Sequence, residues 1–168
     1  MRAFFIGMVL AAFAGLAAAG DWVGDVADNG PYVFTVNPDG EVFGQWCAFD
    51  AGCRWIAAIS TACVTGDEYP VLINADAGAA QMNVTCLGQI ELNGRTYYRY
   101  GMNEFDATER IVRGSSVIGF AFAMQSGRFQ VFRFSLAGAN KTLDETAARA
   151  RKALENRDRA SSVRGEVL

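Results

Sequence analysis

The sequence predicts an all-β fold, an antiparallel β-sandwich or barrel of about eight or nine short strands with two disulfides and a C-terminal α-helix. Between residues 32 and 136, short runs of β-branched and aromatic residues alternate with turn signals roughly every 8–12 residues. The four cysteines form an even set, which is typical of disulfide-bonded domains. After residue 140 the pattern changes to a charged segment with helical spacing.

The first twenty residues have the pattern of a secretory signal peptide. Arg2 precedes an apolar stretch over residues 3–14, and a run of small residues follows before Asp21. The stretch is shorter than the roughly twenty apolar residues of a membrane-spanning helix. We therefore expect cleavage near residue 20, no transmembrane span in the mature chain, and a periplasmic or secreted location.

Composition excludes several kinds of chemistry. The sequence has no histidine, which rules out Ser-His-Asp and Cys-His nucleophile systems and histidine-ligated zinc or copper. Residues 20–140 carry 7 Arg, no Lys and 13 Asp plus Glu. An acidic body of this kind does not favour a nucleic-acid partner. Residues 141–168 carry 7 basic and 5 acidic residues. We predict three parts: a signal peptide (1–20), a β-sandwich domain (21–140) and a charged helix with a flexible tail (141–168).

The cysteines predict two structural disulfides. Three connectivities are possible, and we favour Cys47–Cys53 with Cys63–Cys86, because Asp50 and Gly52 suit a hairpin turn that a short bridge would staple. The chain has no C-x-x-C pair, so a redox centre or an all-cysteine zinc site is disfavoured.

The strands are predicted from apolar runs and the turns between them. The segment 37–40 and the pair Asn93-Gly94 are strong turn signals. In chain order, the predicted strands cover residues 32–36, 41–49, 53–60, 69–74, 80–87, 90–92, 95–101, 116–124 and 128–136.

The last two strands contain alternating phenylalanines. Ile118, Phe120, Phe122 and Met124 share one face of their strand. In the following strand the large apolar residues change from one face to the other near Val131 and Phe132. This pattern indicates either a β-bulge or a strand buried on both faces. We interpret these phenylalanines as core residues rather than as the lining of a ligand pocket.

The C-terminal segment predicts a helix. Thr142 and Glu145 have the spacing of a capping box, and apolar residues follow at helical spacing. We expect a helix over residues 143–157 and fraying beyond it. The helix either docks on the sandwich or forms a mobile, partner-binding tail.

Two surfaces are candidates for contact with a partner in the envelope or outside the cell. One is a strand dense in aromatic and cationic residues. We expect the side chains on one of its two faces to point into the core. The other is the charged C-terminal helix. The candidate residues are Tyr97, Tyr98, Arg99, Tyr100, Arg149, Arg151 and Lys152.

Three alternatives involve small ligands or ions, although the sequence predicts no catalytic residue, cofactor or metal. Paired carboxylates could serve a glycan hydrolase, and a Phe-lined cavity could serve a carrier of a small apolar ligand. Acidic residues at the mature N-terminus form either a calcium site or a solvated segment. The hydrolase candidates are Asp67, Glu68, Glu104, Asp106 and Glu109, and the calcium candidates are Asp21, Asp25, Asp28 and Asn29.

The sequence also resembles the invasion-associated locus B family. The resemblance rests on the local Cys47–Cys53 hairpin and on a late strand that runs into Ser-Leu-Ala-Gly-Ala at residues 135–139, followed by a short amphipathic element. It covers roughly residues 20–143. It implies a periplasmic or envelope-associated β-sandwich of the α-proteobacteria and their relatives. The implied role is an envelope or host-contact accessory protein, not an enzyme, and no catalytic residues carry over.

Overall fold

The computed structural model describes residues 22–124 and 126–165. The predicted signal peptide and Asp21 lie outside the described residues. No helix within the described ranges is long and apolar enough to cross a membrane.

The described chain forms nine strands and two helices. The first four strands are β1 (Val23–Ala27), β2 (Gly30–Val36), β3 (Val42–Ala48) and β4 (Gly52–Ile59). They are followed by β5 (Glu68–Ala75), β6 (Gly78–Leu92), β7 (Arg95–Met102), α1 (Phe105–Gly114), β8 (Val117–Ala123), β9 (Phe129–Ser135) and α2 (Ala139–Gly165).

All nine strands belong to one antiparallel sheet with the order β1-β2-β3-β4-β7-β6-β5-β8-β9. The sheet bends so far that its two ends pack face to face as the layers of a sandwich. Phe43 of β3 lies 5.2 Å from Phe120 of β8 and 5.5 Å from Phe134 of β9, measured between ring centroids. Trp22 donates its indole N–H to the carbonyl of Ser135 over 3.0 Å. The predicted all-β class is therefore confirmed.

The core lies between these layers and is rich in aromatic rings. Phe120, Phe122, Phe132 and Phe134 are all buried in it, so their interpretation as core residues is confirmed. Aromatic rings in tilted and edge-to-face contact fill a small sandwich efficiently, because each buries a large apolar area.

The predicted irregularity in the last strand is wrong. β8 and β9 pair without a break from Val117↔Ser135 to Ala123↔Phe129, so β9 has no bulge. Nor is β9 buried on both faces, since Phe129 and Val131 are exposed. The outer face of β9 is simply apolar. The sheet has its register shift in β6 instead, between Cys86 and Gln89, where Gly88 has a φ of 87°.

Both favoured disulfides are present. Cys47 pairs with Cys53 across the β3–β4 hairpin, and Cys63 pairs with Cys86. The second bridge ties the loop before β5 to β6 across 23 residues of chain, which in the chain-entropy picture is worth on the order of 3 kcal/mol.

Helix α1 is absent from the sequence-based prediction, which assigned no element between the strands 95–101 and 116–124. Its apolar side is short: Phe105, Ile111 and Val112 pack on the core, together with the buried Thr108. Glu104 is its N-cap residue. A ten-residue segment with so few apolar positions is easily read as a polar loop.

Helix α2 begins earlier and ends later than the predicted 143–157. The capping box is wrong: the helix begins at Ala139, directly after Gly138, whose φ is 85°. Thr142 lies inside the first turns and donates its hydroxyl to the carbonyl of Gly138 over 3.1 Å.

Helix α2 docks on the domain. Leu143, Thr146 and Ala150 form its buried side. Its packing on β1 is so close that a Cβ at Gly24 would lie 2.2 Å from the Thr146 hydroxyl oxygen. A side chain at position 24 would displace Thr146, so the helix packs closely on the sheet as part of the folded structure.

Candidate functional site

A groove of about 650 Å³ lies on the outer face of the sheet. We call it the sheet-face groove. It crosses β2, β3, β4, β7 and β6 on the side opposite the core. Most of its lining is apolar, and its lining residues include Phe34, Val36, Trp46, Ile56, Leu92, Arg95, Tyr97 and Arg99.

Strand register places these side chains on one face. Phe34 lies opposite Gly44, which in turn lies opposite Ile56, and Ile56 pairs with Gly101. Glycine at position 44 allows Phe34 to lie close over β3, because a Cβ there would be 2.6 Å from the Cβ of Phe34. The register therefore alternates large apolar side chains with glycines across the sheet and leaves a depression between them.

Phe34 and Trp46 line the groove and continue a row of aromatic rings that begins at Tyr32, outside it. The Tyr32 and Phe34 rings have centroids 6.1 Å apart, and those of Phe34 and Trp46 are 6.3 Å apart with an interplanar angle of 8°. Rings that brace one another in this way lose little freedom when a ligand binds, which favours a preformed site.

Two arginines give the groove a positive charge. The guanidinium carbon of Arg95 lies 5.3 Å from the ring centroid of Tyr97, and its Nη1 donates to the carbonyl of Asp39 over 2.8 Å. Arg99 donates from Nη2 to the carbonyl of Leu87 over 2.8 Å. Among the described residues that line the groove, none carries a carboxylate.

The aromatic strand predicted as a contact surface is β7, and its alternate side chains lie on opposite faces of the sheet. Tyr97 and Arg99 line the sheet-face groove. Tyr98 and Tyr100 point to the other side, where Tyr100 is buried against Phe122 at 4.9 Å between centroids. The structure thus brings two of the four candidates to one site and places the other two against the core side.

Tyr100 should titrate abnormally. Its hydroxyl donates to the carbonyls of Thr61 and Ala62 at 3.0 and 3.2 Å. Burial, and then the proximity of Tyr69 and Tyr98, raises the pKa of Tyr100 well above its ordinary value. Its contribution to stability is therefore complete below the unfolded-state pKa of about 10 and is lost as the pH rises further.

The test of this expectation is an alkaline titration followed by tyrosinate absorbance. Of the five tyrosines, one should ionise only at the pH where the protein unfolds, and Tyr100→Phe should remove that step. Tyr32→Phe, a change on the groove side, should leave it in place. Five tyrosines that all ionise near pH 10 in a folded protein would contradict the prediction.

The helix residues predicted as a contact surface lie elsewhere. Helix α2 packs on the face of β2 that carries Val33, whereas the groove uses the face that carries Phe34. Arg149 donates to the carbonyl of Gly24 over 2.7 Å and pairs with Asp25 at 3.6 Å, so it anchors the helix to β1. Arg151 and Lys152 are exposed. The two predicted contact surfaces are therefore on opposite sides of the sheet.

Two of the five carboxylates considered for hydrolysis, Glu109 and Glu68, have structural partners. Glu109 accepts hydrogen bonds from Trp55 and Gln45 at 3.1 and 3.0 Å and forms an ion pair with Arg113 at 2.6 Å. This contact is the main reason that the pKa of Arg113 is raised. Glu68 accepts from Asn103 over 3.1 Å. Asp67, Glu104 and Asp106 do not line the groove.

The acidic N-terminal residues considered for calcium are separated along the β1 hairpin. Asp25 pairs with Arg149, and the backbone carbonyl of Asp28 accepts from Arg157 over 3.0 Å. Within residues 22–124 and 126–165, no group of three or more Asp, Glu or Cys side chains is placed to hold a metal ion. Asp21 lies outside the described residues.

Most groove residues were not identified from the sequence. Phe34, Trp46, Ile56 and Arg95 belong to predicted strands but were not assigned to a site. The available signal is in residues 32–36, where Tyr32, Phe34 and Val36 share one face of the strand while Val33 on the other face is also apolar. Such a strand has two apolar faces, and only one of them can face the core.

These features define a class of protein: a disulfide-linked sandwich made from one folded antiparallel sheet, closed by a C-terminal helix and open on its outer face. The crystal structure of invasion associated protein B from Bartonella henselae has a similar fold, with a TM-score of 0.55 at 12% sequence identity. The match covers 79% of this chain and 96% of that one. The sequence matches no family model, and none of the curated proteins matches it.

Proposed function

We propose that the protein is an exported, non-catalytic binding module of the bacterial envelope, and that the sheet-face groove is its binding surface. The observation that carries the proposal is the groove itself. Its volume of about 650 Å³ lies within the roughly 300–1,000 Å³ of known ligand pockets. The groove combines an apolar lining with two arginines that face no carboxylate among the described lining residues. This composition is typical of a binding site and not of an ordinary solvated sheet face.

The location follows from three considerations. The signal-peptide pattern at residues 1–20 supports export. Two disulfides are consistent with an oxidising, extracytoplasmic compartment. The structural similarity to invasion associated protein B supports an envelope role over a cytoplasmic one. A periplasmic or secreted accessory protein fits all three.

The best test is native affinity capture from the producing cell's own envelope with a matched pair of variants. Val36 lines the groove and is 50% exposed, whereas Val131 lies on the outer face of β9 and is 51% exposed. Val36→Glu introduces a carboxylate into the groove, and Val131→Glu makes the same change elsewhere. Both substitutions are at exposed positions, so both variants should fold.

We expect Val36→Glu to reduce the captured material at least tenfold and Val131→Glu to leave it unchanged. Circular dichroism and thermal unfolding of both variants serve as folding controls. Equal capture by wild type and Val36→Glu would refute the groove as the binding surface. Loss of capture with Val131→Glu alone would assign binding to the outer face of β8 and β9.

A further inference from the structure

Taking the groove as the binding surface, which rests on the proposed function, we infer that its ligand is a single-chain amphiphile with an anionic head group, such as a fatty-acid carboxylate. The inference rests on how apolar surface and positive charge are distributed within the groove.

The apolar part of the groove suits a hydrocarbon chain. Phe34, Trp46 and Ile56 lie on three adjacent strands of one face. The sides of these residues that face the groove have no covering layer in the described chain, since α2 packs on the opposite face of β2. Apolar surface open to water gains free energy when a methylene chain covers it, by about 0.8 kcal/mol per buried CH₂ group.

The charged part of the groove suits an anion. Arg95 and Arg99 both line the groove, and no described lining residue offers a carboxylate to neutralise them. An anionic head group in the groove would pair with the guanidinium of the exposed Arg95 and with the part of Arg99 that lines the groove. Charge-assisted bonds of this kind are the stronger class of hydrogen bond.

The same lining disfavours a glycan. Sugar hydroxyls require many paired donors and acceptors, whereas Asn93 is the only uncharged amide among the described lining residues. A ligand with one apolar chain and one anionic end matches the groove better.

The inference is testable with dodecyl compounds below their micelle concentrations. Trp46 is in the groove, while Trp22 and Trp55 are buried, so intrinsic fluorescence reports on binding and Trp46→Phe identifies the signal. The probes are dodecanoate, uncharged monododecanoylglycerol and dodecyltrimethylammonium. Octanoate and decanoate provide the chain-length series.

We expect dodecanoate to bind at least tenfold more tightly than the cationic probe, and affinity to rise roughly fourfold per added methylene. Arg95→Gln combined with Arg99→Gln should weaken dodecanoate about tenfold and the uncharged probe less than twofold. Arg95→Lys should retain most of the affinity, and Arg133→Gln, on the outer face of β9, should change nothing.

The outcomes separate this inference from the proposed function. Equal binding of all three dodecyl probes, or no effect of the double arginine variant, would overturn the anionic specificity and leave the groove as a binding surface. If no probe binds but Val36→Glu still reduces capture, the inference about the ligand fails and the groove remains the binding surface. If no probe binds and capture is also insensitive to Val36→Glu, both the inference and the proposed function fail.

Discussion

Replacing Leu143 by Ala should destabilise the protein by about 2–4 kcal/mol, because it removes a buried side chain from the contact between α2 and the sheet. Leu143 is 5% exposed and belongs to the core cluster. Leu154, on the same helix, is 38% exposed. Leu154→Ala is therefore a matched control, with an expected cost below about 1 kcal/mol.

The measurement is urea unfolding of both variants with the disulfides intact. It also decides between the two possibilities that the sequence left open for the C-terminal helix. If α2 were a mobile tail, the two substitutions would have equal and small effects on the free energy of unfolding. An unchanged midpoint for Leu143→Ala would contradict the docking of the helix on β1 and β2.

Replacing Glu109 by Ala should cost about 2–3 kcal/mol, because it leaves the indole N–H of Trp55 without a partner in the core. Trp55 is fully buried, at 0% exposure, and its Nε1 donates to Glu109 over 3.1 Å. A buried donor that loses its acceptor retains the full desolvation penalty. Glu145→Ala is the control, since this exposed glutamate is 3.9 Å from Lys141 and contributes about 0.5 kcal/mol or less.

A double-mutant cycle identifies the cause of the effect. Trp55→Phe removes the orphaned donor, so it should cost less in the Glu109→Ala background than in the wild type, with a coupling of about 1–2 kcal/mol. Additive costs in the cycle would show that Glu109 acts through Arg113 or Gln45 instead. Unfolding free energies of the four proteins are sufficient for this test.

The strands were predictable because their signals are local. The Asn93-Gly94 turn has φ values of 52° and 73°, as expected for the hairpin that this pair favours. The alternation of Met82, Val84 and Cys86 places all three inside. Strand β1 was not predicted, since its residues are exposed or half exposed and their order depends on packing against α2, which is distant from them in sequence.

The site was less predictable than the fold, for a physical reason. A groove on a sheet face depends on which residues lie opposite one another across β2, β3, β4 and β7, and on where glycines such as Gly44 leave space. Strand β7 was recognised from its aromatic and cationic composition. The alternation of side chains along a strand also predicted that its residues would divide between the two faces of the sheet. That Tyr97 meets Phe34 and Trp46 in one groove is a consequence of strand order, which a single sequence does not show.

The most direct test of the central claim is to map ligand contacts by NMR on the ¹⁵N-labelled mature protein, using dodecanoate or the material captured from the envelope. We predict that amide shift changes will concentrate in β2, β3, β4 and β7, around Phe34, Trp46, Ile56 and Tyr97, and that α2 will remain unaffected. Shift changes confined to the outer face of β8 and β9, or to α2, would contradict the assignment of the groove as the binding surface.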